Sequence, residues 1–393
     1  MIADDSAFMR KVLSDLFQKQ PDFEVAGTAV DGKDTISKVK SLEPDLVTLD
    51  VNMPVMDGIN ALAVIMRECP TPVVMISSMT QQGAEATVRA LSLGAVDFIS
   101  KVGGSISRID TIEKDILEKC RGAARAKVHR IGVTMKADAT GRKEPPVMRR
   151  IDIPKRSGLK LSPQQAEPSL GIAKRQNPLL QRRAKPTAPA TPSKPLSAGF
   201  SDADSRKLVV IGTSTGGPQA LQKVITRLPG NLPCGVVVVQ HMPPGFTKSL
   251  AERLDNISAI SVKEAEHDEI IQPGHVYIAP GNYHLRVAPS GSGRKILLSQ
   301  EPPVGNHRPA VNVMYDSAAQ FGRDLVAVIM TGMGCDGCEG MKNIKSNGGY
   351  SIAQNEETSV VYGMPKAVVD AGLADEVQPL GNIAKAIVEA VKK

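Results

Sequence analysis

A serine lies in a glycine-rich turn directly behind an apolar run of this chain. Residues 208–218 read LVVIGTSTGGP, and helical spacing resumes behind Pro218. A strand, a tight turn and a helix in this order lift one side chain, here Ser214, to the carboxyl edge of a parallel sheet, and the helix start offers free backbone N–H groups. The turn therefore favours either a nucleophilic serine or a loop that cradles a phosphate. Its glycine spacing matches neither GxGxxG nor the P-loop.

Two further strand ends could complete the activation of a serine nucleophile. His241 follows the next apolar strand, and Asp336 follows a later strand within a second glycine-rich turn. Serine becomes a strong nucleophile when a neutral imidazole takes its proton, and a carboxylate then orients that imidazole. The backbone N–H groups of the two turns, at Thr215 and Met333, are candidates for an oxyanion hole.

Other interpretations of these residues stay open on spacing alone. His307 is a second candidate base, a lone histidine can be purely structural, and Asp336 could simply form a turn. Cys335 and Cys338 have the spacing of a zinc or redox motif. The sequence offers no second pair of Cys or His to complete a tetrahedral zinc site.

A second set of polar residues lies at strand ends in the first third of the chain. Asp4, Asp5, Asp50, Ser77 and Lys101 each end or follow an apolar run. Three carboxylates at one sheet edge would bind a hard cation such as Mg²⁺ through their oxygen atoms. Asp50 could then attack a phosphoryl group while the metal ion and Lys101 neutralise the phosphoryl oxygens, and the Ser77 hydroxyl could hydrogen-bond the product.

These two sets of residues need parallel sheets to position them, and the apolar pattern predicts two. Apolar runs alternate with helical spacing on both sides of a middle segment, which is typical of doubly wound α/β folds. In the first part we predict strands at 25–29, 45–50, 72–77 and 95–99 and helices at 32–41, 59–68, 84–93 and 109–119. In the last part we predict strands at 208–211, 235–239, 260–263, 275–281, 295–298, 325–330 and 348–354 and helices at 219–225, 247–254, 309–321 and 365–371. The short strands in the middle of that part could form a hairpin layer beside the main sheet.

The middle segment differs in composition from both flanks. Residues 126–207 contain 18 Lys and Arg against 6 Asp and Glu, which is a net charge of +12. The whole chain has a net charge of +7, so the flanks together have a charge of −5 and are mildly acidic. Proline, charge and low hydrophobicity are typical of a disordered linker. We therefore predict a first domain at 1–125, a linker at 126–206 and a second domain at 207–393.

The overall composition favours a cytoplasmic protein. The chain has 393 residues, of which 41% are hydrophobic and 23% are charged. It has no apolar run of membrane-spanning length and no secretion signal, and its five cysteines fit a reducing compartment. With 3% aromatic residues and no Trp, a surface that stacks nucleic-acid bases is not expected.

The first domain resembles a response-regulator receiver domain over residues 1–120. The resemblance rests on Asp4, Asp5, Asp50, the sequence NMP at 52–54, Gly58, Ser77 and Lys101. It implies a flavodoxin-like doubly wound fold, phosphorylation of Asp50 by a partner histidine kinase, Mg²⁺ bound by Asp4, Asp5 and Asp50, and switch roles for Ser77 and Lys101.

The chain departs from the receiver pattern in two places. Lys101 is followed by Val102, where receivers usually have Pro, and only three residues precede Asp4. The first strand of this fold is central and typically needs about five residues. We therefore expect either that the true start lies upstream of Met1 or that this receiver is weakened.

The second domain resembles the CheB family of chemotaxis-receptor methylesterases. The matching motifs are IGTSTGG at 211–217, QHMPPGF at 240–246, YIAPG at 277–281, HRP at 307–309, TGMGCDG at 331–337 and AQNE at 353–356. The resemblance implies a second, Rossmann-like doubly wound sheet. It also implies Ser214 as nucleophile, His241 as base, Asp336 as the group that orients His241, and the Met333 backbone N–H in the oxyanion hole.

The same resemblance implies a phosphorylation-regulated serine hydrolase. Its expected substrates are glutamyl methyl esters, and also glutamines, on methyl-accepting membrane chemoreceptors, with no cofactor for catalysis and no membrane insertion. The receiver would cover the site until Asp50 is phosphorylated. Two alternatives are a non-enzymatic, phospho-dependent binding or scaffold protein whose basic linker engages acidic partners, and a DNA-binding regulator. A DNA-binding regulator would need a basic domain with a recognition helix, and the sequence from 207 to 393 offers neither.

Overall fold

The described part of the chain forms two separate parallel sheets with flanking helices. This computed structural model describes residues 1–78, 80–101, 109–126, 195–196, 199–200 and 206–393. Most of the predicted linker at 126–206 lies outside the described residues, and so does Val102. The α/β class with two doubly wound sheets is confirmed.

The first sheet consists of short parallel strands. They are β1 (Ile2–Ala3), β2 (Thr28–Ala29), β3 (Val47–Asp50), β4 (Val73–Ser78) and β5 (Asp97–Lys101). The helices are α1 (Ala7–Gln18), α2 (Gly32–Leu42), α3 (Gly58–Glu68), α4 (Gln81–Ser92) and α5 (Ile109–Ala124). The strand order β2-β1-β3-β4-β5 is that of the flavodoxin-like fold, and every neighbouring pair is parallel.

Four of these helices begin at a polar side chain that accepts a hydrogen bond from the first turn. The capping residues of α1 to α4 are Ser6, Asp31, Asp57 and Thr80. Helix α1 is missing from the sequence prediction, although its buried Leu13, Leu16 and Phe17 have helical spacing. Strand β2 is shorter than predicted because residues 25–27 form no ladder with a neighbour.

The first strand is short and central, as the sequence predicts. Ile2 pairs with Thr28 on one side and Thr48 on the other, and Ala3 continues both ladders. Both residues are buried. The carboxyl ends of β1 and β3 are therefore neighbours, which brings Asp4 beside Asp50.

The second sheet has seven parallel strands. They are β6 (Leu208–Thr213), β7 (Gly235–Gln240), β8 (Ser261–Glu264), β9 (His275–Ile278), β12 (Leu325–Ile329), β13 (Tyr350–Gln354) and β14 (Glu376–Gln378). A separate antiparallel hairpin consists of β10 (His284–Ser290) and β11 (Gly293–Ser299). The sheet order is β14-β13-β12-β6-β7-β9-β8. The helices are α6 (Gly217–Ile225), α7 (Phe246–Asp255), α8 (Val311–Ala318), α9 (Cys338–Ser346), α10 (Met364–Asp370) and α11 (Leu380–Val391). A 3-10 helix at Ala319–Asp324 follows α8.

The predicted hairpin layer exists, but it holds only β10 and β11. Strands β8 and β9, which the sequence prediction left available for that layer, pair in parallel within the main sheet because Ser261 and Val262 align with His275 and Val276. Four elements are missing from the prediction: β10, α9, β14 and α11. The hairpin matters for the site because the loop that follows β11 returns to it.

The central strands are apolar without interruption because both faces of the sheet are buried. Val236 and Val238 of β7 belong to one packed cluster, whereas Val237 and Val239 belong to the other. A parallel sheet covered on both faces needs such runs, and it leaves its polar residues to the strand ends. Every helix in the described part of the chain is too short or too polar to span a lipid bilayer.

Truncation of a central strand residue should destabilise the second sheet far more than the same change at its edge. Val237 is fully buried, whereas Val377 on β14 is 46% exposed. We expect Val237→Ala to lower the free energy of unfolding by about 2 kcal/mol, and Val377→Ala by less than about 0.5 kcal/mol. Urea denaturation of both variants measures this, and equal losses would contradict the assignment of β14 to an exposed edge.

Candidate active site

Ser214 lies at the end of the central strand β6, in a turn that only glycine can complete. The Ser214 N–H donates to the Thr331 carbonyl oxygen at 3.0 Å, and the Gly217 N–H donates to the Ser214 carbonyl oxygen at 2.7 Å. Gly216 precedes α6 with φ of +76°, and a Cβ atom there would lie 2.5 Å from Cβ of Val360. The turn therefore holds the half-buried Ser214 side chain at the sheet edge.

The His241 ring connects Ser214 to Asp336. Its Nδ1 lies 3.2 Å from Ser214 Oγ, and its Nε2 lies 2.8 Å from Asp336 Oδ2. The carboxylate can only accept, so Nε2 bears the proton and Nδ1 accepts from the serine hydroxyl. Turning the ring by 180° would put carbon atoms at both positions. This orientation is therefore the one that makes both hydrogen bonds.

The Asp336 carboxylate is held at the first residues of α8. Its Oδ2 accepts from the Val311 N–H at 2.7 Å, and its Oδ1 accepts from the Asn312 N–H at 2.9 Å. Burial would raise the pKa of Asp336, but the His241 hydrogen bond and charge and these two N–H donors outweigh it and leave the pKa below its usual value. The group stays ionised at neutral pH. The Asn312 side chain, which the sequence analysis did not single out, accepts from the Gly337 and Gly340 N–H groups and closes the turn.

The two glycine-rich turns touch beside Ser214. A Cβ atom on Gly332 would lie 2.9 Å from Ser214 Cβ, so the Met333 turn can approach only because residue 332 is glycine. In the described part of the chain, the N–H groups of Thr215 and Met333 donate to no protein acceptor. Two free donors near a nucleophile can bind the oxygen on which charge develops during attack.

A buried polar network holds these turns in place, and the sequence analysis assigned no role to its residues. The Thr331 hydroxyl donates to the Thr215 carbonyl oxygen at 2.9 Å, and the Thr331 N–H donates to Gln354 Oε1 at 2.9 Å. The Gln240 amide donates to the Ser214 carbonyl oxygen at 3.0 Å. Thr331 and both glutamines are almost completely buried. A glutamine that ends a buried strand needs hydrogen-bond partners, so the position of Gln240 and Gln354 was the signal in the sequence that could have revealed their supporting role.

His307, the second candidate base, contacts His241 rather than Ser214. The two rings are stacked, with 3.8 Å between their centroids and 11° between their planes. Burial, together with the neighbouring His241, lowers the pKa of His307 to about 4. His307 is therefore neutral near pH 7.

The first sheet brings the predicted phosphorylation residues together. Asp4, Asp5 and Asp50 each offer a carboxylate oxygen within 4.8 Å of the others. Lys101 Nζ lies 2.8 Å from Asp50 Oδ2 and 3.1 Å from Asp4 Oδ2. Burial raises the pKa of Asp50 even though Lys101 opposes the rise. The Ser77 hydroxyl donates to the Gly83 carbonyl oxygen at 3.0 Å, inside the first turn of α4.

The carboxylate cluster fits Mg²⁺. Asp4 is fully buried, and its Oδ2 already pairs with one cation, the Lys101 ammonium at 3.1 Å. A buried carboxylate oxygen in this state is suited to a cation, and oxygen ligands are those that Mg²⁺ prefers. Asp5 is exposed, so the cluster opens to solvent on one side.

Known proteins match both sheets. Residues 209–387 match the CheB methylesterase family, and residues 1–111 match the response regulator receiver domain. A protein-glutamate methylesterase/protein-glutamine glutaminase of Symbiobacterium thermophilum is 46% identical over 393 residues, which is 100% of this chain and 96% of that protein. A protein of the same name from Pyrococcus abyssi is 42% identical and is covered over 93% of its length. The crystal structure of the Thermotoga maritima CheB methylesterase catalytic domain matches 47% of this chain and 97% of that chain, with 49% identity and a TM-score of 0.46.

The hydrogen-bond chain through His241 makes a prediction that needs no knowledge of the natural substrate. A fluorophosphonate should label wild-type protein at Ser214, because His241 can remove the hydroxyl proton as the bond to phosphorus forms. We expect His241→Ala to slow labelling by at least about 10²-fold. Intact-mass and peptide mass spectrometry measure the rate and the site.

The exposed His267 provides a matched control for this substitution. Its side chain is 57% exposed, and its partners are Asp268 and the Leu298 N–H instead of a residue of the site. We expect His267→Ala to be labelled at the wild-type rate. Equal rates for His241→Ala and wild type would contradict the role of His241 as base.

Proposed function

The chain belongs to the CheB family of protein-glutamate methylesterases/protein-glutamine glutaminases, and we propose that Ser214, His241 and Asp336 are its catalytic groups. The observation that supports this most directly is the continuous chain of hydrogen bonds from Ser214 Oγ through both nitrogens of His241 to Asp336. The enzyme is a carboxylic ester hydrolase with a receiver domain. We place the domain boundaries at 1–125, 126–206 and 207–393.

The reaction begins with attack by Ser214 on the ester carbonyl carbon of a glutamyl methyl ester. His241 Nδ1 takes the hydroxyl proton as the bond forms, and Asp336 stabilises the resulting imidazolium. The Thr215 and Met333 N–H groups bind the oxyanion, and each such donor typically contributes about 10²-fold or more. The imidazolium then gives its proton to the departing methoxide, which leaves as methanol. The acyl group remains on Ser214 as an acyl-enzyme.

Water resolves the acyl-enzyme by the same groups. His241 Nδ1 removes a proton from the water as it attacks the acyl carbon, and the proton then returns to Ser214 as the glutamate product leaves. A glutamine side chain follows the same steps with ammonia as the leaving group. The nucleophile, base and oxyanion donors are all supplied by the chain, so hydrolysis requires no cofactor.

Contacts between the receiver and the catalytic sheet support regulation of this site. The Thr215 hydroxyl donates to Asp97 Oδ2 at 2.6 Å, and the Gln219 amide donates to the Ala95 carbonyl oxygen at 2.8 Å. Phe98 and Phe246 stack with 4.6 Å between their ring centroids. The receiver thus packs against the residue that follows the nucleophile, which limits access for a protein substrate.

Helix α5 of the receiver approaches the other oxyanion donor. A Cβ atom on Gly122 would lie 3.4 Å from Met333 Sδ, so the helix touches the Met333 side chain. We infer that phosphorylation of Asp50 favours an arrangement in which the receiver has left this surface. Phosphorylated Asp50 must then make more favourable interactions in the separated arrangement than in the covered one.

Asp4, Asp5 and Asp50 would hold Mg²⁺ during phosphorylation of Asp50. When bound, Mg²⁺ neutralises charge on the phosphoryl oxygens. Lys101 lies close enough to Asp50 to contact a phosphoryl oxygen, and the Ser77 hydroxyl could exchange its Gly83 partner for the phosphate. The phosphodonor is a histidine kinase of the same signalling pathway, and the substrates are methyl-accepting chemoreceptors.

The non-enzymatic alternative has no support from the relatives named above, which bear the name of an enzyme. The deciding measurement is methanol release from methylated chemoreceptor by wild type and Ser214→Ala, with and without acetyl phosphate as phosphodonor. We expect the substitution to lower kcat by at least about 10³-fold in both conditions, because no other group attacks the ester. Ser346→Ala, which changes an exposed serine on α9, is the control and should retain full activity. Methanol release by Ser214→Ala at the wild-type rate would reject the mechanism.

Removal of the Asp97 carboxylate should raise activity without phosphorylation. A hydrogen bond to a charged group contributes about 1.5 kcal/mol, so its loss from the covered arrangement should increase basal methanol release by up to about tenfold. The measurement is methanol release by Asp97→Ala without a phosphodonor. The charge of Lys119 acts on Asp97 as well as on Asp115. Asp115→Ala is therefore a matched control, because Asp115 lies 3.2 Å from Lys119 and is itself exposed. An equal rise in both variants would assign the effect to Lys119 instead of the Asp97–Thr215 contact.

A further inference from the structure

The His307 side chain covers one face of the His241 ring and makes no hydrogen bond within the described part of the chain. Its imidazole lies parallel to His241 at 3.8 Å, and no side-chain hydrogen bond of His307 occurs among the described residues. We propose that His307 is a positioning residue: its flat neutral ring keeps the His241 ring in the plane in which Nδ1 faces Ser214 and Nε2 faces Asp336. This inference rests on the proposed function of the three residues.

The two hydrogen bonds of His241 do not fix the ring by themselves. Both lie in the ring plane, and they weaken as the ring swings about the Cβ–Cγ bond, a torsion with a broad energy profile. The bond to Ser214 is the longer of the two, at 3.2 Å against 2.8 Å, so it is the first to be lost. A flat group against one face opposes this swing, and an aliphatic side chain of similar volume would oppose it less.

The loop that presents His307 is itself held rigidly. The Arg308 guanidinium donates to the Gln300 and Glu301 carbonyl oxygens at 3.0 and 2.8 Å and to Asn282 Oδ1 at 2.6 Å. His307 pairs through both its backbone groups with Val304. These bonds tie the return of the loop to the turn before β10, so the His307 ring is a fixed surface.

The charge state of His307 suits this role. Burial and the neighbouring His241 lower its pKa to about 4, so the ring is neutral when the enzyme works near pH 7. A neutral aromatic face beside His241 is attracted to the imidazolium that forms when Ser214 loses its proton. A cation at the same place would repel it. The same geometry disfavours a base role, because the His307 contact is with the ring face of His241.

The test compares His307→Phe, which keeps a flat ring, with His307→Leu, which keeps bulk without the plane. In the full-length protein activated with acetyl phosphate, we expect His307→Phe to retain kcat within about threefold of wild type. We expect His307→Leu to lower kcat by about 10- to 30-fold, since small misplacements of a reacting group cost up to about 10²-fold. KM should stay within about twofold for both, because His307 positions the base and not the substrate.

Three outcomes would overturn the proposal: wild-type kcat for both variants, an effect on KM in place of kcat, or the same loss of kcat for both variants. The last would assign proton chemistry to the imidazole. Thermal unfolding checks that both variants fold, and Val304→Ala in the same loop should leave kcat unchanged. Failure of the proposed function is seen separately, since wild type would then release no methanol. The rate of fluorophosphonate labelling at Ser214 would still rank the two His307 variants.

Discussion

The structure of the site depends on one buried charge, the Asp336 carboxylate. An unpaired carboxylate in this position would cost several kcal/mol, so its oxygens must be hydrogen-bonded. They accept from the first N–H groups of α8 and from His241, and Oδ2 serves both Val311 and His241. The start of α8 therefore fixes the carboxylate, and the carboxylate fixes the tautomer of His241. The hydroxyl of Ser214 is then left to the other ring nitrogen.

The positions of the chemistry could be predicted from sequence because the sheet is parallel and buried on both faces. Such strands are apolar throughout, so Ser214, His241 and Asp336 stand out as the polar residues behind them, and parallel order brings these ends together. The support of the site could not be predicted in the same way. Asn312 closes the Asp336 turn across 25 residues and Gln354 binds Thr331 across 23. The position of Gln354 at a strand end signals that it needs a partner, but nothing local in the sequence indicates which residue either side chain binds.

Local sequence does not show long-range contacts, and this also explains which helices and strands the sequence prediction missed or misplaced. Helices α1 and α11 are amphipathic and begin near a chain end or a short strand, where few turn residues mark their limits. Strands β8 and β9 have the length and turn residues of a hairpin, and only their tertiary alignment shows that they extend the main sheet. Periodicity reports which face of an element is buried, but not which neighbour buries it.

The contact of Asp97 with Thr215 links the two sheets through a residue to which we assign an oxyanion donor. Thr215 offers its hydroxyl to the receiver and its carbonyl oxygen to Thr331, and we propose that its N–H binds the oxyanion. Burial raises the pKa of Asp97, which means that its charged form is tolerated there only with partners such as Thr215 and Lys119. Separation of the sheets would return this carboxylate to water, where it needs no partner. We propose that the covered arrangement is held in part by a bond that water can replace, so that a modest free energy from phosphorylation would shift the balance.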